Sequence, residues 1–420
     1  MYQKVTLDNG LKIITSPMPH TRSVSVCIYL GAGSRYESDA EAGVSHFIEH
    51  LCFRGTEKRH SAKDISTAIE GLGGILNGGT DKELTVYWCK VAMHHFPLAL
   101  DVLADMVLNS RIESRDLERE RKVIIEEIGM SRDSPHQLVG MLIDELLWPK
   151  HPLGRDVAGS KESVAGIDRQ QVLDFIACEY TPQNTVVSIA GNVSHDVAIE
   201  NVGKTLGGWT NKHRCLTYLP YEETVNPQVR VEVRDTEQSH LCLALPGVSL
   251  LDPRRFTLDL LNVILGEGMS SRLFLEVRDR LGLAYNIHSY LDHFHDSGAL
   301  TVYAGVEPKN LAVGIEAVLK QLACLKEPVP QEELTKAKEL SKGRLSLRME
   351  DSRSVAGWTG GQEILNGSIL TVEEVVNRID AITAEDMAEL ARELFVSERL
   401  RLSVVGPVKT ECKLADLLEI

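Results

Sequence analysis

Three segments of this chain return at nearly one interval. Leu84-Thr85-Val86-Tyr87 reappears as Leu300-Thr301-Val302-Tyr303, and Ala99-Leu100-Asp101-Val102-Leu103 is answered by Gly314-Ile315-Glu316-Ala317-Val318. The stretch from Gly166-Ile167 to Gly191-Asn192-Val193 is answered by Ala381-Ile382 to Gly406-Pro407-Val408. Every shift is 215 or 216 residues, the mark of a duplicated unit. A chain of 420 residues is also too long for one ordinary core. Each half mixes alternating apolar strands with amphipathic helices. The expected fold class is therefore α+β: two homologous domains, each a mostly antiparallel or mixed β-sheet with helices packed on one face. The sequence divides as residues 1–215, a polar, proline-containing linker at 216–227, and residues 228–420.

The first half carries a motif that the second lacks. Residues 46–50 read His-Phe-Ile-Glu-His. Two histidines four apart on a helix share a face, so both imidazoles can reach one cation. Glu49 lies on the same face and is the natural base for a metal-bound water. Val44, Phe47, Ile48 and Leu51 form an apolar stripe on the other side. The corresponding positions of the second half are residues 261–265, LNVIL, which hold no metal ligand. One metal ion per chain is expected.

A catalytic zinc ion usually takes three protein ligands and keeps one position open. Residues 116–130 (DLERERKVIIEEIGM) read as a helix rich in carboxylates. Glu120 and Glu127 are seven apart, so they differ by roughly 20° around the helix. Glu127 is the candidate third ligand, and Glu120 a carboxylate that orients a ligand or adjusts the charge of the site. Glu126 points about 100° away from Glu127. Spacing alone leaves open that these glutamates form a solvated face with Arg119, Arg121 and Lys122.

The motif H-x-x-E-H, then 76 residues, then a glutamate with another seven positions before it, resembles the pitrilysin family of inverted-motif zinc peptidases. Mitochondrial processing peptidase and insulin-degrading enzyme belong to that family. The resemblance is nearest its short bacterial, processing-peptidase-like members. It extends to Gly33-Ser34-Arg35, Glu37 and Gly43 before the motif, and to Phe53-Arg54-Gly55-Thr56 after it. Further on, Gly73-Gly74 and Asn77 lead to Thr80, Glu83, Thr85 and Tyr87. The resemblance implies His46, His50 and Glu127 as zinc ligands and Glu49 as general base. It implies that Asn77, Gly78, Gly79 and Thr80 border the substrate. Relatives often have alanine at the position of Gly78, and a glycine there loosens the strand edge.

In the second half, Arg278 and Tyr285 match by resemblance the family's substrate-binding Arg/Tyr pair. Tyrosine can donate a hydrogen bond to the oxyanion at the scissile carbonyl, and arginine can hold a peptide carbonyl or carboxylate. Large relatives enclose substrate between four such domains, whereas this chain holds two. The resemblance thus implies a homodimer, or a heterodimer with a related chain, whose active site is completed in trans. His293 and His295 alternate as on a strand but lack a third metal partner nearby, and His94-His95, at the start of a helix, reads as a surface pair.

Composition narrows the remaining classes. A formal net charge of −15 argues against a nucleic-acid partner. No apolar run approaches the roughly 18 residues that span a bilayer, so no membrane partner is expected. The N-terminus reads as a strand, a turn at Asn9-Gly10 and a second strand, without a secretory or transit pattern. Eight scattered cysteines with no CxxC suit free thiols and a cytoplasmic location. The expected function is zinc-dependent endopeptidase action on peptides or unfolded segments within an enclosed chamber. The alternatives are a non-catalytic partner subunit and a zinc hydrolase of small molecules.

Overall fold

The structure is a computed structural model that describes residues 2–210, 218–223, 228–408 and 412–420. Half of the linker expected at 216–227 (residues 216–217 and 224–227) therefore lies outside the described residues, as does the expected domain end at residue 215.

Two sheets carry the fold. The first contains β1 (Gln3–Thr6), β2 (Lys12–Pro17), β3 (Ser23–Leu30), β4 (Ile75–Thr80), β5 (Thr85–Ala92) and β6 (Thr185–Gly191). The second contains β7 (Val229–Val233), β8 (Ser239–Pro246), β9 (Ala284–His293), β10 (Gly298–Val306) and β11 (Arg401–Gly406). Their orders are β1-β2-β6-β3-β5-β4 and β7-β11-β8-β10-β9. Apart from the added β1, the orders correspond strand for strand. In each sheet one pair is parallel, β2 with β6 and β7 with β11, and the other pairs are antiparallel. The duplication seen in the sequence is thus repeated in topology.

The chain divides into two compact units that are not its linear halves. One comprises Met1–Gly129, Arg155–Leu219 and Ser346–Thr371; the other comprises Met130–Gly154, Pro220–Leu345 and Val372–Ile420. Each unit thus takes a helix encoded in the opposite half.

In the first unit, Val24, Val26 and Ile28 of β3 face a core that includes Phe47, Ile48, Leu51, Leu103, Ile124 and Ile128. The opposite face of the sheet is not open. Ile14, Cys27, Tyr29 and Val186 pack there with Ala356 of the helix Ser352–Asn366 and with Ile369 beyond it. Two apolar faces explain why β3 is buried almost throughout. Gly360 brings this helix close: a β-carbon there would stand 2.5 Å from the Tyr29 ring. Buried hydroxyl pairs fix the contact, Ser25 with Ser352 at 2.9 Å and Ser188 with Thr359 at 2.9 Å. Asp351 caps the helix by accepting from the Ser354 amide, and it also pairs with Lys90.

The second unit repeats the arrangement with a helix from the first half, Pro135–Leu147. Its Leu138, Val139, Leu142 and Ile143 pack with Cys242, Ala244, Ala299, Tyr303 and Val405 of the second sheet. Ser403 Oγ donates to the Val139 carbonyl at 2.7 Å.

Candidate metal centre

The motif occupies the helix Val44–Cys52 in the first unit. Val44, Phe47, Ile48 and Leu51 are fully buried, so apolar packing sets the rotation of the helix and turns His46, Glu49 and His50 away from the core. Its start is built by two residues upstream. Gly43 adopts φ +96°, and a β-carbon there would meet the Ala158 carbonyl at 2.4 Å. The Glu37 carboxylate accepts from the backbone amides of Gly43 at 2.7 Å and Ser45 at 2.8 Å, satisfying donors that a helix leaves unpaired.

A second helix, Ser114–Asp133, supplies the carboxylates. Leu117, Ile124 and Ile128 anchor it in the core, and Glu126 is exposed. Glu127 Oε2 stands 3.6 Å from His50 Nε2 and 4.0 Å from His46 Nε2. One ligand atom from each of the three residues lies within 4.8 Å of the others, and no other such group occurs among the described residues. Ligand atoms about 2.0–2.2 Å from a tetrahedral zinc ion stand about 3.3–3.6 Å apart. The His50–Glu127 separation meets that span, and the His46–Glu127 separation is slightly wide. Two imidazoles and a carboxylate are also a donor set that catalytic zinc uses, so the residues fit the ion.

Glu120 is almost wholly buried on the same helix. Its Oε2 lies 3.1 Å from His50 Nδ1, and its Oε1 lies 2.5 Å from the Arg54 guanidinium. A carboxylate on Nδ1 holds that nitrogen protonated and leaves Nε2 free to bind a cation. Burial opposes ionisation of Glu120, but the hydrogen bonds from His50 and Arg54 outweigh it and keep its pKa low. Burial also disfavours the charged form of His50, yet Glu120, Glu127 and Glu49 outweigh it and raise its pKa. His46 has no such partner. Burial, and then the charge of His50, push its pKa down to about 4, and its buried Nδ1 has no hydrogen bond.

Glu49 is the acid beside this triad. Its Oε2 accepts from Thr80 Oγ1 at 2.7 Å. Burial raises its pKa, partly offset by the Thr80 hydrogen bond and by His50. Thr80 ends β4, the last strand of its sheet, whose Asn77, Gly78 and Gly79 pair with Trp88, Tyr87 and Val86. A β-carbon on Gly78 would lie 3.0 Å from the Phe53 ring and 3.1 Å from Glu49 Oε1. The glycine therefore gives the Glu49 carboxyl room, a tighter role than loosening an edge. Sequence reasoning named Thr80 only as a substrate neighbour and gave no role to Arg54. The one signal for Arg54 was its place a turn beyond the second histidine.

Arg278 and Tyr285 belong to the other unit. The Arg278 guanidinium lies 4.8 Å from the centre of the Tyr285 ring, and Tyr285 is 77% exposed at the start of β9. Residues 261–265 lie in the helix Arg255–Gly266 of that unit, at the place of the metal motif, and are buried. His293 is engaged by Asp259 at 3.2 Å and the Val248 carbonyl at 2.9 Å, not by a metal cluster. No helix among the described residues is long and apolar enough to cross a membrane.

Residues 12–161 match the family model described as insulinase, peptidase family M16, and residues 166–341 match that described as the peptidase M16 inactive domain. An uncharacterized zinc protease of Bacillus subtilis, YmxG, is 36% identical over 97% of this chain and 98% of its own. One from Mycobacterium leprae is 38% identical over 99% of this chain and 94% of its own. In fold, the chain resembles a protease from Helicobacter pylori, with a TM-score of 0.89, 23% identity, and 97% and 99% of the two chains covered.

Proposed function

Since this chain belongs to the insulinase family of peptidases, M16, we propose that it hydrolyses peptide bonds with a zinc ion held by His46, His50 and Glu127. The observation that carries this reading is the approach of Glu127 to both imidazoles, with Glu49 beside them. Curated relatives named zinc proteases over nearly the full length support it.

When bound, zinc supplies a Lewis acid that polarises the scissile carbonyl and makes a water molecule acidic near neutral pH. Glu49 takes the proton from that water and later passes it to the leaving amine. Its raised pKa suits a group that must both accept and release a proton. The Thr80 hydroxyl holds one carboxylate oxygen and leaves the other for the water. An extended peptide adds to the free edge of β4 at Asn77, Gly78, Gly79 and Thr80, so main-chain hydrogen bonds give affinity with little sequence demand. Arg278 holds a substrate carbonyl and Tyr285 donates to the oxyanion, in a homodimer or heterodimer whose site is completed in trans. The substrates are peptides or unfolded segments held in an enclosed chamber, in the cytoplasm.

Purified chain should contain about one zinc ion and cleave a quenched fluorogenic peptide, with activity lost to a chelator. A metal-free, inactive chain would leave the partner-subunit reading. Size-exclusion of fully active protein as a monomer would remove the trans arrangement.

A further inference from the structure

A polar cleft lies in the first unit, formed by residues outside the helix Val44–Cys52. It is open to solvent, measures about 320 Å³ and is lined by Arg54, His60, Lys63, Arg115, Asp116 and Arg119 among others, of which Lys63, Arg115 and Arg119 are exposed. Four cationic side chains thus meet one carboxylate, on a chain whose net charge is −15. A basic cavity on an acidic protein concentrates anions locally, against the overall field. Lys63 and Arg119 have no ion-pair partner among the described residues, and Arg115 is paired with Glu113 at 2.8 Å. The volume falls at the lower end for small-ligand sites. Guanidinium groups match phosphate oxygens by paired N–H donation; here Arg119 is unpaired among the described residues, while Arg54 is held by Glu120 and Arg115 by Glu113.

Arg54 belongs to two settings. It lines this cavity, and it holds the Glu120 carboxylate that contacts His50. We propose that the cavity binds a small phosphate-type oxyanion and that Arg54 is shared between this anion and Glu120. Filling the site then draws on the same guanidinium that steadies the His50 partner. This inference does not depend on peptidase action, because the cavity residues are neither the metal ligands nor Glu49.

The test is calorimetry of metal-free full-length protein with inorganic tripolyphosphate, a nucleoside triphosphate and a phosphoserine peptide at fixed ionic strength. We expect saturable binding of at least one. Arg119→Glu, an exposed change that leaves folding intact by circular dichroism, should weaken it more than tenfold, while Lys204→Glu, exposed on the helix His195–Leu206 and outside the cleft lining, should not. Glu120→Gln should tighten it severalfold by freeing Arg54. Whichever probe binds best identifies whether the phosphate is free, nucleotide-borne or peptide-borne. Absence of saturable binding, or equal affinity in wild type and Arg119→Glu, overturns the site. Equal affinity in wild type and Glu120→Gln overturns the sharing of Arg54.

Discussion

Glu120 Oε2 stands 3.1 Å from His50 Nδ1, on the side of the ring opposite the nitrogen that faces Glu127. One buried carboxylate thereby sets which nitrogen of His50 can bind a metal. Glu120→Gln preserves shape but removes the charge. Zinc affinity, measured by competition with a chromophoric chelator, should fall about 10–100-fold. Unchanged affinity would show that Glu120 does not orient His50.

The Glu49 carboxylate is held by Thr80, and Glu49 is not one of the three residues grouped as metal ligands. Glu49→Gln should keep stoichiometric zinc and lower peptide cleavage by about 10²–10⁴-fold. Metal analysis and a fluorogenic assay on one preparation separate the two effects. A variant that cleaves at the wild-type rate would end the general-base assignment.

His50→Ala should lose both zinc and activity, because His46 and Glu127 alone make a two-donor site. Chelation of the wild-type protein should lower its melting temperature, and added zinc should restore it, since a ligand bound only by the folded state stabilises that state. A melting curve indifferent to chelator and zinc would argue that no metal is held.

Gly360 lies against Tyr29 with no room for a side chain. Gly360→Leu should destabilise the protein by about 1–3 kcal/mol or more through overpacking, read from urea denaturation. Gly361, with open space at its β-carbon, is the control, and Gly361→Ala should be near neutral or stabilising. Equal effects at the two positions would contradict the close seating of this helix.

His240 and His288 flank Tyr303 in the second unit, and His136 packs on the same ring. Burial, then the charge of His136, lowers the pKa of both His240 and His288. A histidine with a depressed folded pKa binds its proton better when unfolded. Its neutral form costs nothing above the unfolded value of about 6.5, and stability is lost as pH falls below it toward the folded value. His288→Gln should therefore flatten the decline of melting temperature between about pH 7 and pH 5. Parallel curves for variant and wild type would exclude this contribution.

Much of the fold was legible before any coordinates. The shift of 215 or 216 residues anticipates two sheets of like strand order, because the repeat recurs in strands β5 and β10 and in β6 and β11. The stripe of Val44, Phe47, Ile48 and Leu51 marks the buried side of the motif helix. The seven-residue interval from Glu120 to Glu127 puts both carboxylates toward the histidines, at 3.1 and 3.6 Å from His50 nitrogens. Other features left no trace. An apolar stripe on the helix Pro135–Leu147 says that it covers a sheet, but periodicity does not say which sheet. The Thr80 hydroxyl that holds Glu49 and the Arg54 guanidinium that holds Glu120 are single polar groups, outside any periodic pattern.

The helix at residues 352–366 closes the outer face of a sheet whose strands all precede residue 192. A ribosome must therefore add some 160 further residues before Tyr29 and Val186 find their cover. Throughout that interval the nascent chain carries a greasy, unfinished surface that a chaperone has reason to shield. Cutting the gene at its midpoint would yield two fragments, each holding the other's missing lid.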